Sequence, residues 1–582
     1  MTALLPGHEP SPPPADGPTA SFRHWVDDQL AGVRRRRGGR WVAPTAAFAL
    51  GLAVCGGLWL LGKPAAAVIA LGGVGLVAAA WIGVALLRRL LTAGHPVIAV
   101  ARAIVEEALG GRLAAVLAVL VLIGLPALPF VLDPAERLAY RMQFFLTWSL
   151  SAAFAVLAVL TIALCCGTVC GDISSYRIHL TLTKPLQRWE YLLGKWIGVV
   201  LLNLLLLTLV GIGAYATAEG LRRTPASDAA DYRAVEEQVL TARVAARPVH
   251  PKRDEFDTLV ANEIERVRNE DPALFDKDPD SAAYKIKTRM LYGWHTVTAD
   301  VVASYLFTGL EDVKQRAATM QLRVEPFADN SRTSEAEVQF AMWLNERPFP
   351  VKQGKHEDYV LAASRVHTLE IPTVAISDEG TLLVTIANRN LVMPGDLGPT
   401  SIGFKPGKGL ELLHRVGSFE GNLVRALIVM LAKLAMLAAA ALAAGAWLSL
   451  PIAMLASMMV FAAAIASGFV ADAIDMYTGV DDAAPSFVSM LRLRSGILWE
   501  FLLKLEWWNA IKTVGAYFAD AFLALIPSFS SYDSITEAAT GRLVSTSETV
   551  SAVLLLLIVY PAVLLAAGWV LLERRDLVSS SS

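Results

Sequence analysis

The chain has 582 residues, 55% of them hydrophobic and only 18% charged, with a formal net charge of −2. Soluble domains average about 45–50% apolar and about 25% charged residues, so most of this chain is built to face lipid. The near-neutral balance excludes a general electrostatic case for nucleic-acid binding. The four cysteines (Cys55, Cys165, Cys166, Cys170) all fall in or beside apolar runs, which excludes a disulfide framework in the polar part.

Residues 1–40 are polar and Pro-rich and end in a basic run, Arg34 to Arg37 with Arg40. With no cleavable signal peptide apparent, they read as a disordered cytoplasmic lead-in. A hydrocarbon core of about 30 Å needs about 20 apolar residues in a helix. Eight runs meet that length: 43–62, 65–87, 113–132, 144–166, 196–217, 424–447, 451–474 and 549–572. The first two make a membrane hairpin over residues 41–90. Cations gather before the first run, after the second (Arg88, Arg89), after the fourth and after the eighth (Arg574, Arg575). The positive-inside bias then places both ends and these loops in the cytoplasm, and residues 218–423 outside. Between the second and third runs, residues 96–111 set Val97, Val100, Ala101, Ile104, Val105 and Ala108 against Arg102, Glu106 and Glu107. That spacing predicts an amphipathic helix on the cytoplasmic membrane surface.

Residues 167–195, between the fourth and fifth runs, hold four cations: Arg177, Lys184, Arg188 and Lys195. Interleaved with them are Tyr176, Ile178 and Leu180, with Asp172 ahead and Pro185 and Gly194 within. A short cytoplasmic loop of this kind is where a soluble partner can grip a membrane protein. The plainer reading is that the cations only set the topology.

The insert 218–423 is the only sizeable polar region and is large enough to bury a core of its own. Its first half is helical by spacing (Phe256, Leu259, Val260, Ile264, Val267), and its second half alternates with period two. Val338-x-Phe340-x-Met342-x-Leu344 and Leu382-x-Val384-x-Ile386 are strands, with a turn at Asp378-Glu-Gly380 before the latter. The expectation is a helical stalk followed by a small β-sandwich, serving as a structural or docking module. Its histidines (His250, His295, His356, His367, His414) are scattered, and no catalytic or metal-ligating cluster is legible.

Few ionisable residues fall inside the apolar runs. Lys433 does, with Arg425 one or two turns before it; it either contacts a substrate or snorkels to the outer interface. Asn203 in the fifth run suits an interhelical hydrogen bond or a substrate contact. Met430, Met436, Met454, Met458 and Met459 read as packing residues rather than a Cu(I) path. Residues 488–528, with charges every third or fourth residue, read as interfacial or re-entrant helices; a further pair of spans is the rival. No Gly-x-x-x-x-Gly-Lys-Ser/Thr occurs, so the chain has no phosphate loop of that kind.

Three features together resemble the permease subunit of ABC-2-type ABC transporters, closest to the copper-enzyme-maturation and gliding-type permeases. Pro185-x-x-Arg188 followed by Leu192-Leu-Gly-Lys195 is similar to the family's stretch after its second core span. Pro96-Val-Ile-Ala-Val-Ala-Arg-Ala-Ile-Val-Glu-Glu-Ala-Leu is similar to its opening interfacial helix. Ala446-Trp-Leu-Ser-Leu-Pro451 and the terminal Leu572-Glu-Arg-Arg-Asp-Leu577 also fit. Asp172 and Arg177-Ile-His-Leu stand where the family usually has an acidic residue and Gly-Thr-Leu, and the insert exceeds the family norm. The resemblance implies an all-α polytopic membrane protein of about eight transmembrane helices, with a six-span permease core in two halves (91–217 and 424–577). An extracytoplasmic α+β insert is added to that core. It also implies a cell-membrane transporter subunit that is not itself an enzyme, working as a homodimer or paired permease in the lipid bilayer. A separate ABC ATPase subunit would carry the ATP and Mg and bind residues 167–195. There Ser174–Leu182 would form a coupling helix anchored by Tyr176, Ile178 and Leu180, its register set by Arg177, Lys184 and Arg188. The alternative is a membrane-anchored assembly or sensor scaffold that presents the outer domain.

Overall fold

The computed structural model describes residues 53, 56–57, 60–62, 64–92, 95–110, 136–175, 187–249, 253–272, 274–275, 279–298, 302–316, 319–329, 337–352, 355–390, 400–404, 409–478, 514 and 528–574. The chain divides into two compact units, Met1–Leu86 and Leu87–Ser582. The described part of the first is most of helix α1 (Pro64–Leu90), whose last turn carries Arg88 and Arg89.

In the second unit the helices run α2 (Pro96–Gly110), α3 (Leu138–Ser174) and α4 (Arg188–Arg222) before the insert. Within the insert lie α5 (Arg253–Glu270) and α6 (Pro279–Trp294). After it come α7 (Phe419–Trp447), α8 (Leu450–Thr478), the short α9 (Ser534–Ala539) and α10 (Thr546–Arg574), which loosens to a π turn over Val553–Val559. Among the described residues six helices are long and apolar enough to cross a membrane: Leu71–Leu90, Leu138–Ser174, Arg188–Arg222, Phe419–Trp447, Leu450–Phe469 and Thr546–Arg574. These cover six of the eight expected runs. Run 113–132 and most of run 43–62 lie outside the described residues, as does nearly all of 488–528.

α3 and α4 hold 37 and 35 residues, about 55 Å each at helical rise. Both therefore outrun a core of about 30 Å. α7 is the most buried of the six and takes α3, α4, α8 and α10 around it. Its Ala- and Leu-rich sequence allows that close approach from every side. Phe154, Leu157, Val199, Met430, Leu437 and Leu556 meet in the shared core. α2 buries Val97, Ala101, Ile104, Val105 and Ala108 directly against α4. Two glycines permit this. A Cβ on Gly194 would sit 2.7 Å from the Val97 carbonyl oxygen, and one on Gly198 would sit 2.2 Å from Ile104 Cγ2.

The insert is strand-rich. One sheet has the order β1 (Thr241–Ala246), β14 (Leu410–Ser418), β4 (Thr319–Val324), β11 (His367–Pro372). A second joins β10 (Tyr359–Ala362), β6 (Glu337–Leu344), β12 (Leu382–Asn388) and β3 (Val302–Phe307), with β7 (Arg347–Phe349) on β6. β2 (Thr296–Val297), β13 (Ser401–Phe404) and β5 (Pro326–Asp329) make a small third sheet, and β8 (Val351–Lys352) pairs with β9 (Lys355–His356). All of these pairings are antiparallel. Apolar residues of the first two sheets enter one core, among them Leu322 and Leu412 from the first and Phe307, Phe340 and Ile386 from the second. Gly380 makes the expected turn, with φ +70°.

The order of the parts differs from the simple stalk-then-strands reading. β1 precedes both helices and pairs with β14, the last strand of the insert. Its sequence, Thr-Ala-Arg-Val-Ala-Ala, offers no alternation of large apolar residues, so period two is weak there. β14 ends at Ser418 and α7 begins at Phe419, with no loop between them.

Candidate functional site

The sequence-predicted loop residues fall into two groups. Tyr176, Arg177, Ile178, Leu180, Lys184 and Pro185 lie outside the described residues. Asp172, Arg188, Gly194 and Lys195 form the base from which that loop leaves the bundle. The last turn of α3 closes on the Gly171 carbonyl, which accepts from the Ser174 and Ser175 hydroxyls at 3.2 and 2.6 Å. α4 opens with the Glu190 carboxylate accepting from the Gln187 amide at 2.9 Å, the N-terminal half of a capping box.

Between these two helix ends, Asp172 Oδ2 accepts from Lys195 Nζ at 2.6 Å and from the Tyr191 hydroxyl at 2.7 Å. The Lys195 ammonium also lies 4.9 Å from the centre of the Tyr191 ring. Lys195 is 4% exposed, whereas the Asp172 side chain keeps 22% of its surface open, so the ammonium is buried and its carboxylate faces partly outward. Arg188 donates to the Leu572 carbonyl at 2.6 Å, near the C-terminal end of α10, where exposed carbonyls attract cations. α3, α4 and α10 are thus tied at one end of the bundle, with α2 laid across α4 through Gly194.

Lys433 is 6% exposed on α7 and donates to the Tyr532 carbonyl at 2.8 Å. Its ammonium lies 5.8 and 5.5 Å from the Phe154 and Phe529 ring centres, which is cation–π range. Lys433 is therefore a buried, partnered residue of the helical bundle. Asn203 exchanges hydrogen bonds with Thr161 across α4 and α3, the amide donating at 2.9 Å. Arg425 donates to the Val544 carbonyl at 3.3 Å. Lys433, Asn203 and Arg425 each have separate partners and do not converge.

Met430 and Met436 are buried, whereas Met459 is 64% exposed, so the methionines form no common face. Among the described residues no group of three or more His, Cys, Asp or Glu is placed to hold a metal.

Sequence reasoning missed a charged hub where the insert meets the bundle. Glu411 on β14 is fully buried and pairs with Arg542; Arg323 stands 3.5 Å away and Arg247 3.8 Å away. Arg243 on β1, 8% exposed, donates to the Thr540 carbonyl at 2.7 Å and to the Gln321 side chain. Burial, then repulsion from Arg542 and Arg323, pushes its guanidinium down to about 10. Glu537 on α9 is pushed up to about 7, first by burial and then by Glu548 and Asp533. The one available signal was the acid Glu411, set among leucines in a strand.

No family model, curated protein or solved structure matches the chain. Six helices able to cross a membrane, joined to a strand-rich domain, are the features of a multi-pass membrane protein.

Proposed function

We propose that this chain is the membrane subunit of an ABC-2-type transporter, exporting a substrate with energy from a separate ATPase subunit. In this reading eight helices span the membrane, six of them forming the permease core, and both termini are cytoplasmic. The insert stands outside as a β-sandwich with helices attached. The ATPase, carrying ATP and Mg, grips residues 167–195 through Tyr176, Ile178 and Leu180. The chain works as a homodimer or paired permease.

The observation that supports this reading best is the Asp172–Lys195–Tyr191 network. A loop that transmits force needs both of its ends held, and this network joins the helix ends on either side of it. Closure of the ATPases would then move α3 and α4 together as levers.

The test is co-purification with candidate ATPase subunits. Tyr176→Ala combined with Arg188→Glu is expected to abolish ATPase binding while leaving membrane insertion normal. Retained binding and retained ATP-dependent activity would overturn the coupling role. The scaffold reading draws support from the insert, whose core is its own; under it, no ATPase co-purifies with either protein.

A further inference from the structure

Residues 528–545 connect two places that a membrane protein with an outer domain would otherwise keep apart. Their inner end is seated in the helical bundle. The Phe529 amide donates to the Ala464 carbonyl at 3.0 Å, and its ring packs edge-on against Phe154 at 6.3 Å. Ser467 donates to the Ser528 hydroxyl at 2.9 Å, and Lys433 holds the Tyr532 carbonyl.

Their outer end is built into the insert's first sheet. The Arg243 amide donates to the Gly541 carbonyl at 2.9 Å, and the Leu543 amide to the Arg243 carbonyl at 2.8 Å. Gly541, at φ +68°, passes so close to the π turn Val235–Val239 just ahead of β1 that a Cβ would lie 2.1 Å from the Gln238 carbonyl oxygen. The Arg542 side chain reaches buried Glu411. Asn422, in the first turn of α7, donates to the Arg542 carbonyl at 2.6 Å and accepts from the Val544 amide at 2.8 Å.

Between the two ends nothing is slack. α9 is capped by Asp533, which accepts from the Thr536 amide, and is closed by the Arg542 amide on the Glu537 carbonyl at 2.8 Å.

We infer that residues 528–545 are a latch that transmits between the insert and the interior of the bundle, fastened by Arg542–Glu411 at one end and Lys433–Tyr532 at the other. A rearrangement of the sheet around Glu411 unseats Tyr532 from Lys433, and a change at Lys433 loosens the backbone bridge between Arg542 and Arg243. Two charged fastenings on one hydrogen-bonded element give it two discrete arrangements, seated and released, and packed interiors favour such arrangements over gradual deformation. Sequence-remote groups, Glu411 and Lys433, thereby become coupled, and coupling between sites is reciprocal by thermodynamic necessity. The inference needs no ATPase and stands or falls apart from the transporter reading.

Hydrogen exchange on the full chain in lipid nanodiscs tests it. Glu411→Gln combined with Arg542→Gln removes both charges of the outer fastening together. It is expected to speed exchange at the Phe529 amide about 5- to 150-fold, the range of typical coupling, while strand β6 amides stay protected. Lys433→Met is expected to speed exchange at Leu543 and Arg243 in the same way. Acceleration confined to each variant's own end would overturn the latch. So would a Phe529 amide as protected in the outer double variant as in the unaltered chain.

Discussion

Lys195 and Asp172 show how one ion pair can join the ends of two helices. The buried Lys195 ammonium is tolerable there because the partly exposed Asp172 carboxylate is within hydrogen-bond reach. Asp172→Asn would leave the buried Lys195 ammonium without its carboxylate, and leaving such a buried charge uncompensated costs up to about 3–5 kcal/mol. The expected result is a clearly lowered thermal midpoint in detergent. Lys195→Met with Asp172→Asn should recover much of that loss, because no bare charge remains.

Glu537 makes the opposite kind of prediction. Its carboxyl is raised from 4.5 to about 7, mainly by burial, so the folded chain holds this proton more tightly than the unfolded chain. The stabilisation is therefore complete below about 4.5 and is lost as the pH rises through about 7. Unfolding measured from pH 5 to 8 should show stability falling with pH, and Glu537→Gln should flatten that slope.

At the scale of elements, glycine decides which helices can touch. α2 carries an ordinary amphipathic stripe, but it reaches the α4 backbone only because Gly194 and Gly198 leave no side chain in the way. Gly198→Ala puts a methyl group 2.2 Å from Ile104 Cγ2 and 2.7 Å from the Ala101 carbonyl oxygen. Overpacking of this sort costs about 1–3 kcal/mol, and exchange of the α2 amides should accelerate accordingly. Gly167→Ala on α3, with nothing within 4 Å of the added Cβ, should instead be neutral or stabilising by up to about 1 kcal/mol. Strand β14 and helix α7 are the second element-scale device. Their direct junction at Ser418 and Phe419 joins the insert to the most buried helix without an intervening loop.

Across the whole molecule, the two ends of the bundle carry different parts of the chain. The base of loop 167–195 lies with the C-terminal end of α10, as the Arg188 bond to Leu572 shows. The strand-rich insert joins the opposite ends of α4 and α7. An impermeant thiol reagent should thus label Tyr176→Cys and a cysteine placed after residue 574 from one side of the membrane. It should label Val374→Cys, at a position 77% exposed, only from the other side. Labelling of Tyr176→Cys and Val374→Cys from the same side would refute the proposed orientation.

Much of this architecture was written locally. Six apolar runs of span length, the stripe of residues 96–111 and the alternation in β6 and β12 all report burial through periodicity, and periodicity needs no knowledge of the partner surface. The contacts that organise the molecule carry no such mark. Lys433 as a lone cation in an apolar run suited snorkelling more than substrate contact, and nothing in the run pointed to the Tyr532 carbonyl and the two aromatic rings that the fold sets around it. β1 lacked a pattern because its stability comes from pairing with β14, well over a hundred residues away. Glu411 and Arg542, 131 positions apart, meet only when the insert sits on the bundle. Sequence by itself determined which segments leave water, since transfer of apolar surface is a property of each segment alone. Tertiary structure alone decided which charges are paired, since a buried charge takes its meaning from the partner that folding brings to it.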